Sequence, residues 1–205
     1  MTDELYDVLL SCRKDLSVIA NLIPAHVKLL DLGCGDGGLL KLLAAEKDVH
    51  GLGVEISQDD ILGCVANGVP VVHGDLNQKL MFKDDSFDYV VLSQTLQAVS
   101  RPDHLLQEML RVGHNVVISF INFGYLHARL QLLFQGRMPV TKTLPDMWYD
   151  TSNIHLGTIR DFRELCEYLN VRILQEIPLG HHGDFWARFH PNLFAPFCVF
   201  VVTRK

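Results

Sequence analysis

Short apolar runs alternate with segments of helical periodicity along most of the chain. Five runs have the length of a buried strand and lie at residues 27–32, 49–56, 69–73, 87–92 and 116–120. Before, between and after them, apolar residues recur at helical spacing, which predicts helices over 4–23, 39–45, 57–67, 102–111 and 124–134. Strands that alternate with helices are typical of a parallel sheet covered by helices on both faces.

The last third of the chain departs from this alternation. Residues 136–157 form an irregular segment that contains prolines, and Thr158 then caps a predicted helix that ends at Leu169. Two more strands are predicted at 171–177 and 197–203. Because no helix is predicted between them, we expect these strands to pair as an antiparallel hairpin. The expected fold is therefore α/β, with a mostly parallel sheet and a C-terminal antiparallel hairpin.

Length and composition fit one ordinary globular domain. The chain has 205 residues, of which 48% are hydrophobic and 20% charged, so we expect a single domain over 1–205 that begins with a helix within 1–24. With 18 basic and 24 acidic residues the net charge is −6, which argues against nucleic acid as a partner. No apolar run approaches the ~20 residues of a membrane helix, and the acidic start MTDELYDVLL is unlike a signal peptide. We expect a cytoplasmic protein that does not bind membranes.

The strongest motif is the glycine cluster LLDLGCGDGGLL at residues 29–40, which follows the first strand. Gly33, Gly35 and Gly37 allow a tight turn and let a ligand approach the backbone. With Gly38 in place of Gly37 the cluster also fits GxGxxG, so a nicotinamide or flavin dinucleotide is one alternative, and a turn without any ligand is another. Asp31, two residues before the first glycine, would repel a pyrophosphate. It favours a cationic ligand without phosphates, such as S-adenosylmethionine.

Polar side chains also stand at the ends of the next three strands. Glu55 is placed to bind two ribose hydroxyls, Asp75 in HGDL to accept from the adenine amino group, and Ser93 and Gln94 to face the methionine moiety. Ligands of open α/β sheets bind outside the carboxyl ends of the strands, where all of these residues fall. The predicted cofactor-binding residues are Asp31, Gly33, Cys34, Gly35, Gly37, Glu55, Ile56, Asp75, Leu76, Ser93 and Gln94.

These residues resemble the class I S-adenosylmethionine-dependent methyltransferase fold over nearly the whole chain. The resemblance lies in the D-x-G-x-G-x-G pattern that starts at Asp31 and in the acids Glu55 and Asp75 of the second and third strands. It implies a doubly wound, seven-stranded sheet with a reversed final strand.

A narrower resemblance covers longer segments of the chain. DLGCGDGGLL, SFDYVVLSQTLQAV, NFGYLHARLQLLFQGRMPVT, LPDMWYDTSNIHLGTIRDF and PNLFA are similar to the MetW family of methionine biosynthesis proteins. That resemblance implies a protein partner, homoserine O-acyltransferase, which activates homoserine for methionine synthesis.

Two functions remain open at this point. The chain is either an S-adenosylmethionine-binding accessory or regulatory protein that acts with homoserine O-acyltransferase, or a methyltransferase that acts on a small molecule. It carries no Asn/Asp-Pro-Pro-aromatic tetrad and no Pro-Cys nucleophile that would identify a methyl acceptor. His155, Tyr149 and Asp150 in the irregular segment are candidate general bases, unless this segment merely covers the sheet.

Metal chemistry is not expected. Five scattered cysteines without a CxxC pair indicate reduced thiols rather than a zinc site or disulfides. The loop over 180–196 holds His181, His182, Asp184 and His190, but a tandem His pair does not lie on one helix face as HxxxH does. We expect a solvated loop with Trp186 and Phe189 as packing anchors. Trp148, Tyr149 and Trp186 would suit a protein interface if they are exposed.

Overall fold

The computed structural model describes residues 13–180 and 185–205. Within these ranges seven strands form one sheet: β1 (Lys28–Leu32), β2 (His50–Glu55), β3 (Val71–His73), β4 (Phe87–Ser93), β5 (Gly113–Ile121), β6 (Val171–Leu179) and β7 (Phe197–Arg204). Their order in space is β3-β2-β1-β4-β5-β7-β6. The pairs from β3 to β5 are parallel, whereas β7 runs antiparallel to both β5 and β6. The predicted α/β fold, a mostly parallel seven-stranded sheet with a C-terminal antiparallel hairpin, is confirmed.

Helices cover both faces of the sheet. In chain order they are α1 (Lys14–Leu22), α2 (Gly38–Lys47), α3 (Gln58–Ala66), α4 (Pro102–Val112), α5 (Leu126–Gln135), α6 (Ile159–Tyr168), α7 (Phe185–Phe189) and α8 (Pro191–Phe194), with a 3-10 turn at Leu96–Ala98. The part of the predicted first helix before residue 13 lies outside the described residues. No helix in the described ranges is long and apolar enough to cross a membrane.

The strand alternation of β1 divides the core into two layers. Leu29 packs on the face covered by α1 and α2, together with Ile19. Leu30 and Leu32 point to the opposite face and join the larger layer, which includes Phe162 of α6. Because side chains alternate along a strand, Asp31 shares the face of Leu29 and is therefore directed towards α1 and α2.

The region between β6 and β7 differs from the prediction. Residues 185–189 and 191–194 form two short helices instead of a loop, and Pro191 occupies the first turn of α8. Trp186 and Phe189 are 61% and 68% exposed, so the prediction that they anchor this segment is wrong. The buried positions are Ala187, Ala195 and Pro196, and the small side chains of the two alanines let the backbone approach the core closely.

The contribution of the helix cap at Thr158 to stability can be tested by substitution. The Thr158 hydroxyl accepts from the N–H of Asp161 at 3.2 Å, and the Asp161 carboxylate accepts from the N–H of Thr158 at 2.8 Å. We expect Thr158→Ala to lower the free energy of unfolding by about 1 kcal/mol, because the N–H of Asp161 loses its acceptor. Urea denaturation measures the change. Thr158→Ser, which keeps the hydroxyl, is the control, and equal losses in both variants would contradict the assigned cap.

Candidate functional site

The glycine cluster after β1 forms a tight turn that only glycine can adopt without strain. Gly33, Gly35 and Gly37 have φ angles of +68°, +55° and +79°. A Cβ atom on Gly33 would come within 2.8 Å of the Thr95 hydroxyl, and one on Gly37 within 3.0 Å of Val69, whereas Gly35 has nothing within 4 Å. The open side of the turn is thus at Gly35, where a ligand can approach the backbone.

The Glu55 carboxylate at the end of β2 holds this turn in place. It is buried, and Oε2 accepts from the N–H of Gly35 at 3.0 Å. Oε1 accepts from the N–H groups of Ile56 at 2.7 Å and Ser57 at 3.0 Å. Since each carboxylate oxygen has about two acceptor sites, only Oε2 keeps capacity for a ligand hydroxyl. Glu55 lies where the sequence predicted it, but most of its hydrogen bonds serve the loop.

Asp31 is the buried carboxylate without a matching donor. It is only 3% exposed, and its Oδ1 has no hydrogen-bond partner among the described residues. Burial raises the pKa of Asp31 to about 7; the Arg13 guanidinium opposes this rise and the Glu55 carboxylate adds to it. A buried carboxylate oxygen without a donor is costly, and a cationic donor such as an ammonium would satisfy it. The residues present therefore fit an amino-acid-bearing ligand.

A polar network at the start of α1 was missed by the sequence analysis. Asp15 is 2% exposed, and it accepts from Nε and Nη2 of Arg13 at 2.9 Å each. Its Oδ2 also accepts from the hydroxyls of Ser93 at 3.1 Å and Ser119 at 2.8 Å. Desolvation opposes ionisation, but the hydrogen bonds and charge of Arg13, with the two serines, hold the pKa of Asp15 below its usual value. The signal in the sequence is that Asp15 precedes Ile19 by four residues and so lies on the apolar face of α1.

Ser93 and Gln94 lie at the end of β4, and the structure separates their environments. The Ser93 hydroxyl is bound to Arg13 Nη2 at 2.6 Å and to Asp15, so it belongs to the network. Gln94 has a φ angle of +54°, held by donation of its N–H to Ser119 at 2.9 Å (carbonyl) and 3.2 Å (hydroxyl). Its side chain lines a different cavity of about 540 Å³, together with Ile121 and residues of the segment 138–156. A left-handed non-glycine residue at such a place is a sign of function.

The remaining predicted residues follow β1, β2 and β3. The Oδ1 atom of Asp75 accepts from the backbone and side-chain N–H groups of Asn77, both at 2.9 Å, and the backbone bond lowers the pKa of Asp75. Ile56 is exposed next to Glu55 and offers an apolar surface for an aromatic ring. Leu76 packs against the larger core layer, and Cys34 is buried with its Sγ 3.8 Å from that of Cys64.

The candidate bases do not converge on one place. Tyr149 is 72% exposed and lies edge-on to Trp148 with ring centroids 5.8 Å apart, and Asp150 is exposed beside it. His155 Nε2 is 3.4 Å from the carbonyl oxygen of Ser100. None of the three lines the cavity next to Gln94, whereas Trp148 does.

The histidine-containing segment before α7 lies largely beyond what the structure describes. His181, His182 and Asp184 are outside the described residues, and His190 is exposed at the start of α8. No group of three or more His, Cys, Asp or Glu in the described ranges could hold a metal ion.

Comparison with known proteins identifies the family. The family described as methionine biosynthesis protein MetW matches residues 13–202, nearly the whole chain. The chain belongs to the MetW family. A relative in Rhodopirellula baltica, the bifunctional methionine biosynthesis protein MetXA/MetW, is 42% identical over 176 residues, which are 80% of this chain and 28% of the relative. Norajmaline N-methyltransferase of Rauvolfia serpentina is 24% identical over 178 residues, 80% of this chain and 58% of the relative.

Solved structures agree on the fold. An S-adenosylmethionine dependent methyltransferase from Mesorhizobium loti superposes with a TM-score of 0.70 at 18% sequence identity, covering 95% of this chain and 100% of that one. This MetW-family chain therefore has the class I methyltransferase fold. It spans less than two thirds of the length of either relative, 28% of one and 58% of the other.

The buried Asp31 predicts a pH dependence of the free energy of unfolding in the ligand-free protein. Its pKa is about 7 in the folded chain against a reference of 3.8, so the folded state binds an extra proton between these values. Its contribution to stability therefore falls as pH rises from about 4 to about 7 and is constant above. We expect Asp31→Asn to remove this slope and to be about 1–3 kcal/mol more stable than the parent at pH 8. Urea denaturation of parent and variant at pH 5 and pH 8 measures the pH dependence of stability and the difference at pH 8. If the variant kept the same pH dependence, another group would be its cause.

Proposed function

We propose that this chain binds S-adenosylmethionine, or its demethylated product S-adenosylhomocysteine, and acts as an accessory or regulatory protein of methionine biosynthesis together with homoserine O-acyltransferase. The main support for this ligand is the buried Oδ1 atom of Asp31, which has no hydrogen-bond partner among the described residues. It sits below a glycine turn on an S-adenosylmethionine-dependent methyltransferase fold. The partner is supported by the family and by a relative that joins MetXA and MetW in one protein.

The charges of the site favour this ligand over a dinucleotide. Asp31 and Glu55 are both buried at the carboxyl edge, and none of the eleven predicted cofactor-binding residues is basic. A pyrophosphate would be repelled there, whereas the ammonium and sulfonium of S-adenosylmethionine would be attracted. The Oε2 atom of Glu55 keeps an acceptor site for a ribose hydroxyl, and the exposed Ile56 can pack against the adenine. We expect affinity in the micromolar range, about −8 kcal/mol.

The partner requires an exposed surface on the chain. Fusion to MetXA, as the name of the Rhodopirellula baltica relative describes, would keep two domains at a high effective concentration. Binding that does not rely on such a fusion requires contacts on the surface of this chain. Trp148 and Tyr149 form an exposed aromatic pair in the irregular segment, and such side chains dominate interface energies.

A partner of the acyltransferase that binds S-adenosylmethionine would be suited to end-product sensing. S-adenosylmethionine is made from methionine, so its concentration reports how full the pathway is that homoserine acylation feeds. A subunit that binds it can pass this information to the acyltransferase without methyl transfer, provided that the ligand binds the free and complexed forms with different affinity.

The alternative is a methyltransferase that acts on a small molecule. The cavity of about 540 Å³ beside Gln94 favours it, since it adjoins the end of β4 and is large enough for a small acceptor. The two functions are distinguished by product. Accumulation of S-adenosylhomocysteine with a pathway metabolite, in the absence of the acyltransferase, would favour catalysis.

The aromatic pair provides a test of the partner surface. We expect the double substitution of Trp148 and Tyr149 by Ala to abolish complex formation with homoserine O-acyltransferase in co-purification. The fold should stay cooperative, because both side chains are 72% exposed and surface substitutions change stability little. Trp186→Ala, at an exposed aromatic of α7, is the matched control. Loss of the complex only in that control would move the interface to α7, and retention in both variants would reject both surfaces.

The sensing role is tested by titration of the complex. We expect S-adenosylmethionine to change complex affinity about 5–150-fold, the range of a 1–3 kcal/mol coupling, and to change the acylation rate in parallel. Flat responses of both quantities at saturating ligand would reject sensing and leave a passive role in stabilising the acyltransferase.

A further inference from the structure

A guanidinium lies at the same edge of the sheet as the orphan carboxylate. Arg13 uses Nε and Nη2 to bind Asp15 at 2.9 Å, and Nη2 also donates to the Ser93 hydroxyl at 2.6 Å. Its Nη1 makes no hydrogen bond within the described residues, and the side chain is 37% exposed. Arg13 is thus held by two partners, while the described residues leave its Nη1 donors for another acceptor.

The strand register places Arg13 beside Asp31. Leu32 and Leu92 pair across β1 and β4, so Ser93 lies one step beyond the end of β1, next to the start of the glycine turn. A guanidinium bound to Ser93 therefore lies over the carboxyl end of β1. Asp31 is directed to the face that α1 covers, and the charge of Arg13 acts on it, lowering its pKa against the effect of burial.

The position of Arg13 is fixed by buried contacts. Asp15 is buried beneath it and bonded to β4 and β5 through Ser93 and Ser119. One turn further along α1, Ile19 is fully buried in the layer that also contains Leu29 of β1. Because these contacts tie the start of α1 to the sheet, Arg13 presents a preorganised donor, which binds with a smaller loss of side-chain entropy.

The local charges favour a ligand end that carries both signs. Asp15 already compensates one unit of the positive charge on Arg13, and Asp31 and Glu55 make the edge negative. A simple anion would be disfavoured there. A zwitterion fits, because its ammonium meets Asp31 while its carboxylate meets the outward Nη1 donors.

The geometry points to Arg13 as the residue that binds the carboxylate of the ligand's amino-acid end, with Asp31 binding its ammonium. This inference rests on the proposed S-adenosylmethionine-type ligand and assigns its specificity. The site then selects S-adenosyl amino acids over nucleoside thioethers that lack the amino acid. The start of α1 thereby becomes part of the binding site.

The test compares two ligands that differ in the amino-acid end. Calorimetry measures binding of S-adenosylhomocysteine and of 5′-methylthioadenosine to the parent chain and to Arg13→Gln. We expect the parent to bind S-adenosylhomocysteine at least ~10-fold more tightly. Arg13→Gln should weaken that ligand about 10–100-fold, as for loss of a charge-assisted hydrogen bond, and change 5′-methylthioadenosine less than about 2-fold.

The controls separate recognition from folding. Lys14→Gln removes the neighbouring exposed cation and should leave both affinities unchanged. Arg13→Gln combined with Asp15→Asn removes the buried carboxylate that would otherwise lose its partner, so it serves as the test variant if the single variant unfolds. Unchanged binding of 5′-methylthioadenosine shows in the same experiment that the nucleoside part of the site is intact.

The outcomes distinguish this inference from the proposed function. A parent chain that binds neither compound overturns the proposed ligand and the role of Arg13 with it. A parent that binds S-adenosylhomocysteine, with Arg13→Gln weakening both compounds equally or neither, overturns the role of Arg13 alone. Selective loss of S-adenosylhomocysteine supports it.

Discussion

Burial of negative charge at the carboxyl edge of the sheet is the constraint on which the rest of this site depends. A buried carboxylate is costly unless donors surround it, and three of them lie here. Asp15 is satisfied by Arg13 and two serine hydroxyls, and Glu55 by three backbone N–H groups. Asp31 has no such donor for Oδ1 within 13–180 and 185–205. The two satisfied carboxylates fix α1 and the glycine turn, and between them lies the third, whose Oδ1 is left for a ligand by the residues that the structure describes.

That the candidate residues meet at one edge of the sheet could be predicted from the sequence, because it follows from topology. Acids in β1, at the end of β2 and after β3 must reach the same edge, since parallel strands align their carboxyl ends. What each atom binds could not be predicted in this way. Glu55 looked like a ligand acid, but the tight glycine turn leaves the N–H of Gly35 in need of an acceptor, and Glu55 supplies it locally. Ser93 looked open, yet Asp15, 78 residues earlier, occupies it.

Other features depended on contacts that no local pattern encodes. The left-handed conformation of Gln94 is imposed by Ser119 on the neighbouring strand, so strand pairing had to be known first. The segment before β7 was expected to be a loop, with Trp186 and Phe189 as its packing anchors. Ala187 and Ala195 are buried instead, and the aromatic side chains of the short helices are exposed. In this segment the size of the apolar side chains did not predict which positions are buried, because small residues are buried where the backbone packs closely.

The same hydrogen bonds also connect the ligand edge to the rest of the molecule. Arg13 binds Asp15 and Ser93, Asp15 binds Ser119, and Ser119 holds the backbone of Gln94, whose side chain lines the cavity that Trp148 also lines. A carboxylate that binds Nη1 of Arg13 would add a negative charge beside the guanidinium whose Nε and Nη2 serve this chain of contacts. Three hydrogen bonds and a shared cavity thus connect Arg13 to the exposed aromatic surface. Coupling of this kind requires two arrangements of the network with different ligand affinity. The strained backbone of Gln94 is the element best placed to have them, because release of its positive φ angle is favourable in itself.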